Sequence, residues 1–402
     1  MLPQKIALAD RVLQVPPSPT LAVNAKAKAL RAAGADILNF SVGEPDLPTP
    51  AHVCEAGKKA IDDGHTRYTP VAGILELREA VCDRFKKDHG WEYTPDQVQV
   101  SCGGKHGLYN IFQAILNPGD EVLIPSPYWV SYPPMVQLAG GTPVIVPLKE
   151  EDNFDLDPVT LKRYVTGKTK AIILNSPSNP SGAVYSQAAL EVVAKMAFDN
   201  GWLVISDDMY EELSYTEGRI AHILHAEPRL KEQTVLSNGV SKSFAMTGWR
   251  IGYSVGPIEV IKAMNKIQSQ STSNPAAPSQ YAALAALTGP QDFPRQLREA
   301  FIPRRAFFVR ELQSIKGVTC VTPMGAFYVF PNFSAYYGKT FGGKVIDGSV
   351  ALADYFLSEA GVATVPGAAF GADNFIRFSF ATSMEVIEKG MGRIKQALAV
   401  LQ

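Results

Sequence analysis

The sequence predicts an α/β fold: a large domain on a mostly parallel sheet with helices on both faces, and a smaller, discontinuous α+β domain. Three observations lead there. Between about residues 50 and 255, short apolar strand-like runs alternate with stretches of helical spacing. After residue 300 that alternation gives way to aromatic strand signals and two helices. The chain has 402 residues, too many for one typical core.

The elements follow in order. Pro3, Pro16, Pro17 and Pro19 make residues 1–17 an extended arm rather than a packed element. Residues 18–50 form the first part of the small domain, with the segment 22–40 packing on its C-terminal part. The large domain spans 51–295. Within it Leu77, Val81 and Phe85 share a helical face, 98–100 reads as a strand, and Leu108, Ile111, Phe112, Ile115 and Leu116 follow at helical spacing. Further strands are expected at 121–124, 144–146, 171–174, 202–205, 234–236 and 251–255. Ser186 caps and Gly201 ends a helix between the strands 171–174 and 202–205. Pro257, then Val260, Ile261, Met264 and Ile267, open a helix long enough to link two domains. In the remainder of the small domain, 296–402, strands are expected at 325–330 and 375–380 and helices near 350–360 and 384–400.

Composition narrows the function. The net charge is −1 and no basic stripe stands out, which argues against nucleic-acid or membrane-surface partners. No apolar run approaches the ~20 residues that cross a bilayer, and residues 1–10 do not read as a signal peptide. Cys54, Cys82, Cys102 and Cys320 are scattered without a CxxC pairing, so the reading is a cytoplasmic protein with no metal site.

Three segments carry chemistry-bearing residues. Ser101-Cys-Gly-Gly-Lys-His106 lies between a strand and an amphipathic helix, where glycines let backbone N–H groups approach an anion; it reads equally as a plain strand-to-helix turn. No GxGxxG occurs, and Gly167 and Gly338, each opening a Gly-Lys-Thr, lack the upstream glycine of a P-loop, so a nucleotide phosphate is not indicated. Asp207 ends the apolar strand 202–205, at the sheet edge where ligands gather, although an Asp there also serves as a helix cap. Lys242 sits among small and apolar neighbours in Ser241–Arg250, a setting that desolvates an amine; taken alone, a loop lysine is as readily a surface charge.

Together with Gly43-Glu-Pro-Asp46, Tyr68–Gly73, Ser126–Ser131, Asn175–Gly182 and Phe375–Phe380, these segments resemble class I aminotransferases dependent on pyridoxal phosphate, closest to the prokaryotic aspartate aminotransferases. The resemblance runs from about residue 18 to 398 and implies the fold type I architecture, a homodimer with shared active sites and pyridoxal phosphate as cofactor. It implies Lys242 as the lysine that binds the cofactor and moves the proton, with Asp207 facing the pyridine nitrogen. Asn179 and Tyr210 would donate to the phenolic oxygen, and Trp129 would stack on the ring. The phosphate would sit on Gly103, Gly104 and Lys105 with Ser241 and Arg250, and with Tyr68 reaching it from the neighbouring subunit. Arg377 would take the substrate α-carboxylate through its fork of donors, with the backbone of Gly43 closing over it. Trp129 and Asn179 also border the substrate, and Lys105 is the residue implicated in meeting a distal carboxylate.

The expected reaction is ping-pong amino transfer between L-aspartate and 2-oxoglutarate. Asp208 stands where relatives usually have Glu, and Ser181 where they usually have Thr. Pro16 replaces a basic residue found in some prephenate-accepting relatives, which counts against that activity. Alternatives are an aminotransferase for alanine, aromatic, prephenate or diaminopimelate substrates, or a C–S lyase of the same fold. A ligand-sensing regulator is a remote alternative, because the resemblance begins too early for a DNA-binding module ahead of it.

Overall fold

The computed structural model describes residues 6–402. Seven strands form the main sheet: β1 (Val98–Ser101), β2 (Glu121–Ser126), β3 (Thr142–Pro147), β4 (Thr169–Asn175), β5 (Leu203–Asp207), β6 (Thr234–Gly239) and β7 (Gly252–Val255). Their spatial order is β1-β7-β6-β5-β4-β2-β3. β7 runs antiparallel to both neighbours and the other pairings are parallel. All seven expected strands are present. Their runs are apolar because helices cover both faces and leave few of their side chains in water.

The helix α1 (Gly104–Ile115) packs on α3 (Ile258–Ser271), with the short α2 (Tyr132–Leu138) beside it. The helix Gln187–Asn200 is capped by Ser186 Oγ, which accepts from the Ala189 amide at 3.2 Å, and ends at Gly201 with φ 66°. Its caps are those the sequence indicated.

A second core gathers Leu38, Phe40, Phe301, Phe308, Phe356 and Phe378. It rests on the three-stranded sheet of β8 (Tyr328–Val329), β9 (Val365–Pro366) and β10 (Ile376–Ser379), with β10 in the middle. Helices Ser349–Glu359 and Met384–Ala399 flank it, as expected. The segment from Pro19 joins this half: Leu38–Asn39 pairs in parallel with Val362–Ala363. Burial of Phe40 within an edge-to-face aromatic set (5.6 Å to Phe308, 6.2 Å to Phe378) fastens it there.

Two expectations need correction. The helix opened by Pro257 does not link the two halves; it stops at Ser271, before Ser273 at φ 61° and Pro275, and packs within the large half. The connecting helix is instead α4 (Asp292–Gln313), which contains Pro294 and Pro303. Pro294 lies in its first turn, where no intrahelical N–H is needed, and the burial of Leu297, Phe301, Phe308 and Leu312 outweighs the bond lost at Pro303. The arm also departs from a purely extended course: Asp10–Leu13 makes one helical turn, with none of its residues buried. Residues 1–5 of that arm lie outside the described residues.

Candidate active site

The carboxyl ends of β4, β5 and β6 open on a cavity of about 320 Å³. It is closed on the other side by Gly43, Tyr328 and Arg377 of the small half and by Ser18, Thr20 and Leu21 of the N-terminal segment. Gly104, Lys105, Trp129, Asn179, Asp207, Tyr210, Ser241, Lys242 and Arg250 also line it. Of the residues singled out in the sequence, Gly103 and Tyr68 are not on its wall. Gly103 stands directly behind, at φ 81° before the first residue of α1, and a Cβ there would collide with the Arg250 guanidinium. Tyr68 lines no part of the cavity of its own chain and is 91% exposed.

Asp207 forms the floor. Its Oδ2 accepts from the Tyr132 hydroxyl at 2.6 Å, and its Oδ1 lies 3.4 Å from the Met209 amide. The backbone carbonyl of Asp207 accepts from Asn175 Nδ2 at 2.8 Å, while Asn175 Oδ1 takes the Asn179 amide at 2.9 Å. Asn175 thus ties the ends of β4 and β5 to the turn that carries Asn179. Burial pushes the Asp207 carboxyl up to about 6; the Tyr132 hydrogen bond opposes this and the charge of Asp208 adds to it.

Lys242 follows β6 in a single helical turn, Val240–Ser243. Two non-glycine residues of the segment after it, Ala245 at φ 51° and Arg250 at φ 56°, adopt left-handed backbone. Such conformations cost about 1 kcal/mol or more each and cluster at functional sites. The Lys242 amine donates to the Gly43 carbonyl at 2.5 Å. Burial brings it down to about 8; Glu44 opposes the shift, and the charges of Arg250, Arg377 and Lys105 reinforce it. Lys105 lies 4.9 Å from the centre of the Trp129 ring, and burial followed by the nearby Arg250 lowers its proton affinity too.

The opposite wall is cationic. Arg377, 2% exposed on β10, donates from Nη1 to Asn179 Oδ1 at 3.0 Å and from Nη2 to the Ser41 carbonyl at 2.8 Å. Its Nε has no partner among the described residues. The guanidinium is sandwiched 4.5 Å from the Tyr328 ring and 5.0 Å from Phe370. Tyr328 in turn shares a 2.9 Å hydrogen bond with the Tyr210 hydroxyl. Its hydroxyl also approaches Gly43 so closely that a Cβ at Gly43 would lie 2.8 Å from it. Tyr132, Asn175, Tyr328 and Ser41 were not singled out in the sequence. Asn175 and Tyr132 sit in or beside quoted motifs, but all four gain their roles through tertiary contact.

The family described as aminotransferase class I and II matches residues 35–394. The aspartate/prephenate aminotransferase of Cereibacter sphaeroides is 50% identical over 397 residues, covering 98% of this chain and 99% of that protein. The aspartate aminotransferase of Geobacillus stearothermophilus is 47% identical, over 96% of this chain and 98% of its own. Among solved structures, the Rhizobium meliloti aspartate aminotransferase superposes with a TM-score of 0.93 at 41% identity, covering 99% of this chain and all of that one. The Thermus thermophilus aspartate aminotransferase with maleate gives 0.91 at 44%, over 98% and 100%. With its strand-end cavity, its family profile and these full-length relatives, the chain belongs to the class I and II aminotransferases, enzymes of fold type I that work with pyridoxal phosphate.

Proposed function

We propose that this aminotransferase moves the amino group between L-aspartate and 2-oxoglutarate by a ping-pong mechanism. The observation that carries this reading is the presence of two cationic side chains, Arg377 and Lys105, in the cavity that also holds Lys242. A dicarboxylate needs two positive partners, and Arg250 beside Gly103 remains for a phosphate. The names of the Cereibacter and Geobacillus relatives point the same way.

Pyridoxal phosphate suits the residues present. Gly103 and Gly104 open a 12-residue helix whose free N–H groups and positive dipole end favour a phosphate, next to Arg250 and Ser241. The buried Asp207 offers a carboxylate to a ring nitrogen, and Trp129 offers a flat face. When bound, the cofactor supplies an electron sink for the carbon that loses its proton.

The chain's own groups do the rest in this reading. Lys242 Nζ, neutral more often than an exposed lysine, binds the cofactor and then carries the proton. Asp207 holds a proton on the ring nitrogen. Asn179 and Tyr210 donate to the phenolic oxygen. Arg377, anchored by Asn179 and Ser41, offers its unpartnered Nε and the rest of its fork to the α-carboxylate, with the Gly43 backbone above it.

A homodimer with shared sites is part of the proposal. Its support is the exposure of Tyr68 together with Val12, Leu13 and Leu21, apolar groups that a second subunit would cover. A domain division at 50/51 and 295/296 is supported by the separate cores; the second boundary would fall inside α4, where Phe293 touches both cores and Leu297 belongs to the second. Four free cysteines are consistent with a reducing cytoplasm as the compartment. The test of function is an amino-donor screen with 2-oxoglutarate, read by the absorbance change of the cofactor. Aspartate should give the highest kcat/KM; alanine or an aromatic donor ahead of it would reject the assignment.

A further inference from the structure

Behind Asp207 lies a second buried carboxylate that the mechanism above leaves unused. Asp208, the next residue, turns to the far side of the strand end and lines no part of the cavity. Its Oδ1 accepts from the Ser206 hydroxyl at 2.7 Å, and its Oδ2 lies 3.3 Å from His222 Nε2. His222 Nδ1 accepts the Leu224 amide at 3.1 Å, so the ring proton sits on Nε2, which faces both the Asp208 carboxylate and, at 3.2 Å, the Ser206 hydroxyl oxygen. Ser206, Asp208 and His222 are 5%, 3% and 6% exposed. Among the described residues His222 is the only basic side chain within ion-pair distance of Asp208. The carboxylate is therefore held by donors rather than neutralised by a lysine or arginine, and its field extends to its neighbour.

We propose that Asp208 is a positioning residue that acts through Asp207: its buried charge, locked by Ser206 and His222, adds to the negative potential at the cavity floor and so favours a protonated ring nitrogen there. Two features support this. The backbone of Asp208 is pinned by its own amide to the Ser237 carbonyl at 2.9 Å and by its carbonyl to the Glu211 amide at 3.0 Å, so the charge has a fixed place between β5 and β6. Burial of Asp207 and the charge of Asp208 also push the Asp207 carboxyl in the same direction. A unit charge acting over several ångströms in a protein interior changes an equilibrium on the order of tenfold.

A cofactor analogue separates this from a merely structural role. The full-length apoprotein is titrated with pyridoxal phosphate and with its deaza analogue, in which C–H replaces the ring nitrogen. The ratio of the two affinities is compared among wild type, Asp208→Asn and Asp208→Glu. Asp208→Asn should lower the preference for the nitrogen-bearing ring on the order of tenfold, and Asp208→Glu, which restores the charge, should recover most of it. An equal loss of affinity for both ligands in Asp208→Asn would make Asp208 a fold-stabilising cap and overturn the proposal. Should that variant not fold, Asp208→Asn combined with His222→Gln puts two amides in the place of the charged pair; an unchanged ratio there overturns it equally.

Discussion

At the sheet end of the cavity, Asp207 is held by neutral groups: the Tyr132 hydroxyl and the Met209 amide, with Asn175 bracing its backbone. At the end supplied by the small half, Arg377 is likewise held by neutral groups, the amide of Asn179 and the carbonyl of Ser41, between two aromatic faces. The signs are opposite and the construction is the same. Neither charge is cancelled by a fixed counter-ion, so each stays available to a bound molecule. Burying an unpaired charge is costly, and a protein that accepts the cost at two ends of one cavity has arranged them for a ligand with matching charges. Lys242 lines the same cavity; burial brings its amine down, and the charges of Arg250, Arg377 and Lys105 reinforce the shift.

The contrast is most sharply tested at its centre. Lys242→Ala should reduce turnover by about three orders of magnitude or more, because it removes the proton carrier while leaving both ends intact. At the acidic end, Asp207→Ala should lower kcat by about two to three orders of magnitude, the size expected when one partner of a buried charge pair is deleted. Cofactor binding through the phosphate should persist, and near-normal turnover would reduce Asp207 to a cap. On the large-half wall of the cavity, Lys105→Ala should cost about ten- to a hundredfold in kcat/KM for aspartate, and much less for alanine or phenylalanine. An equal loss for all three would assign Lys105 to the phosphate or the fold. The smallest effect is a pH shift. In the apoprotein, acylation of Lys242 requires the neutral amine, so labelling should rise with pH and reach half its maximum near 8. Exposed Lys58 and Lys59, whose hydrogen-bonded carboxylates Glu55 and Asp63 raise them above the ordinary lysine value, should label only at higher pH. Coincident profiles would remove the desolvation argument.

Legibility followed the physics of each region. The large sheet could be read because strands covered on both faces must be apolar, as in 171–174 and 202–205, and because Ser186 and Gly201 mark a helix through local backbone chemistry alone. α4 was not anticipated: Pro294 and Pro303 disfavour a helix locally, whereas the aromatic core on its inner face keeps it helical. The site divides in the same way. Lys242, Asp207 and Arg377 stood out because each lies in a compact motif. Tyr132, Ser41 and Tyr328 did not, since a tyrosine that serves a carboxylate 75 residues away leaves no local pattern. The short β8 was signalled as a longer strand, 325–330, because buried aromatic residues continue past the two that pair.

The central claim is that Lys242, in the same cavity as the acidic and cationic ends, is the amine that binds pyridoxal phosphate. Borohydride reduction of the holoenzyme followed by peptide mapping tests it directly. The cofactor should be fixed on the peptide that contains Lys242, and Lys242→Ala should leave the protein unlabelled. A reduced cofactor on Lys105 or any other lysine would contradict the account.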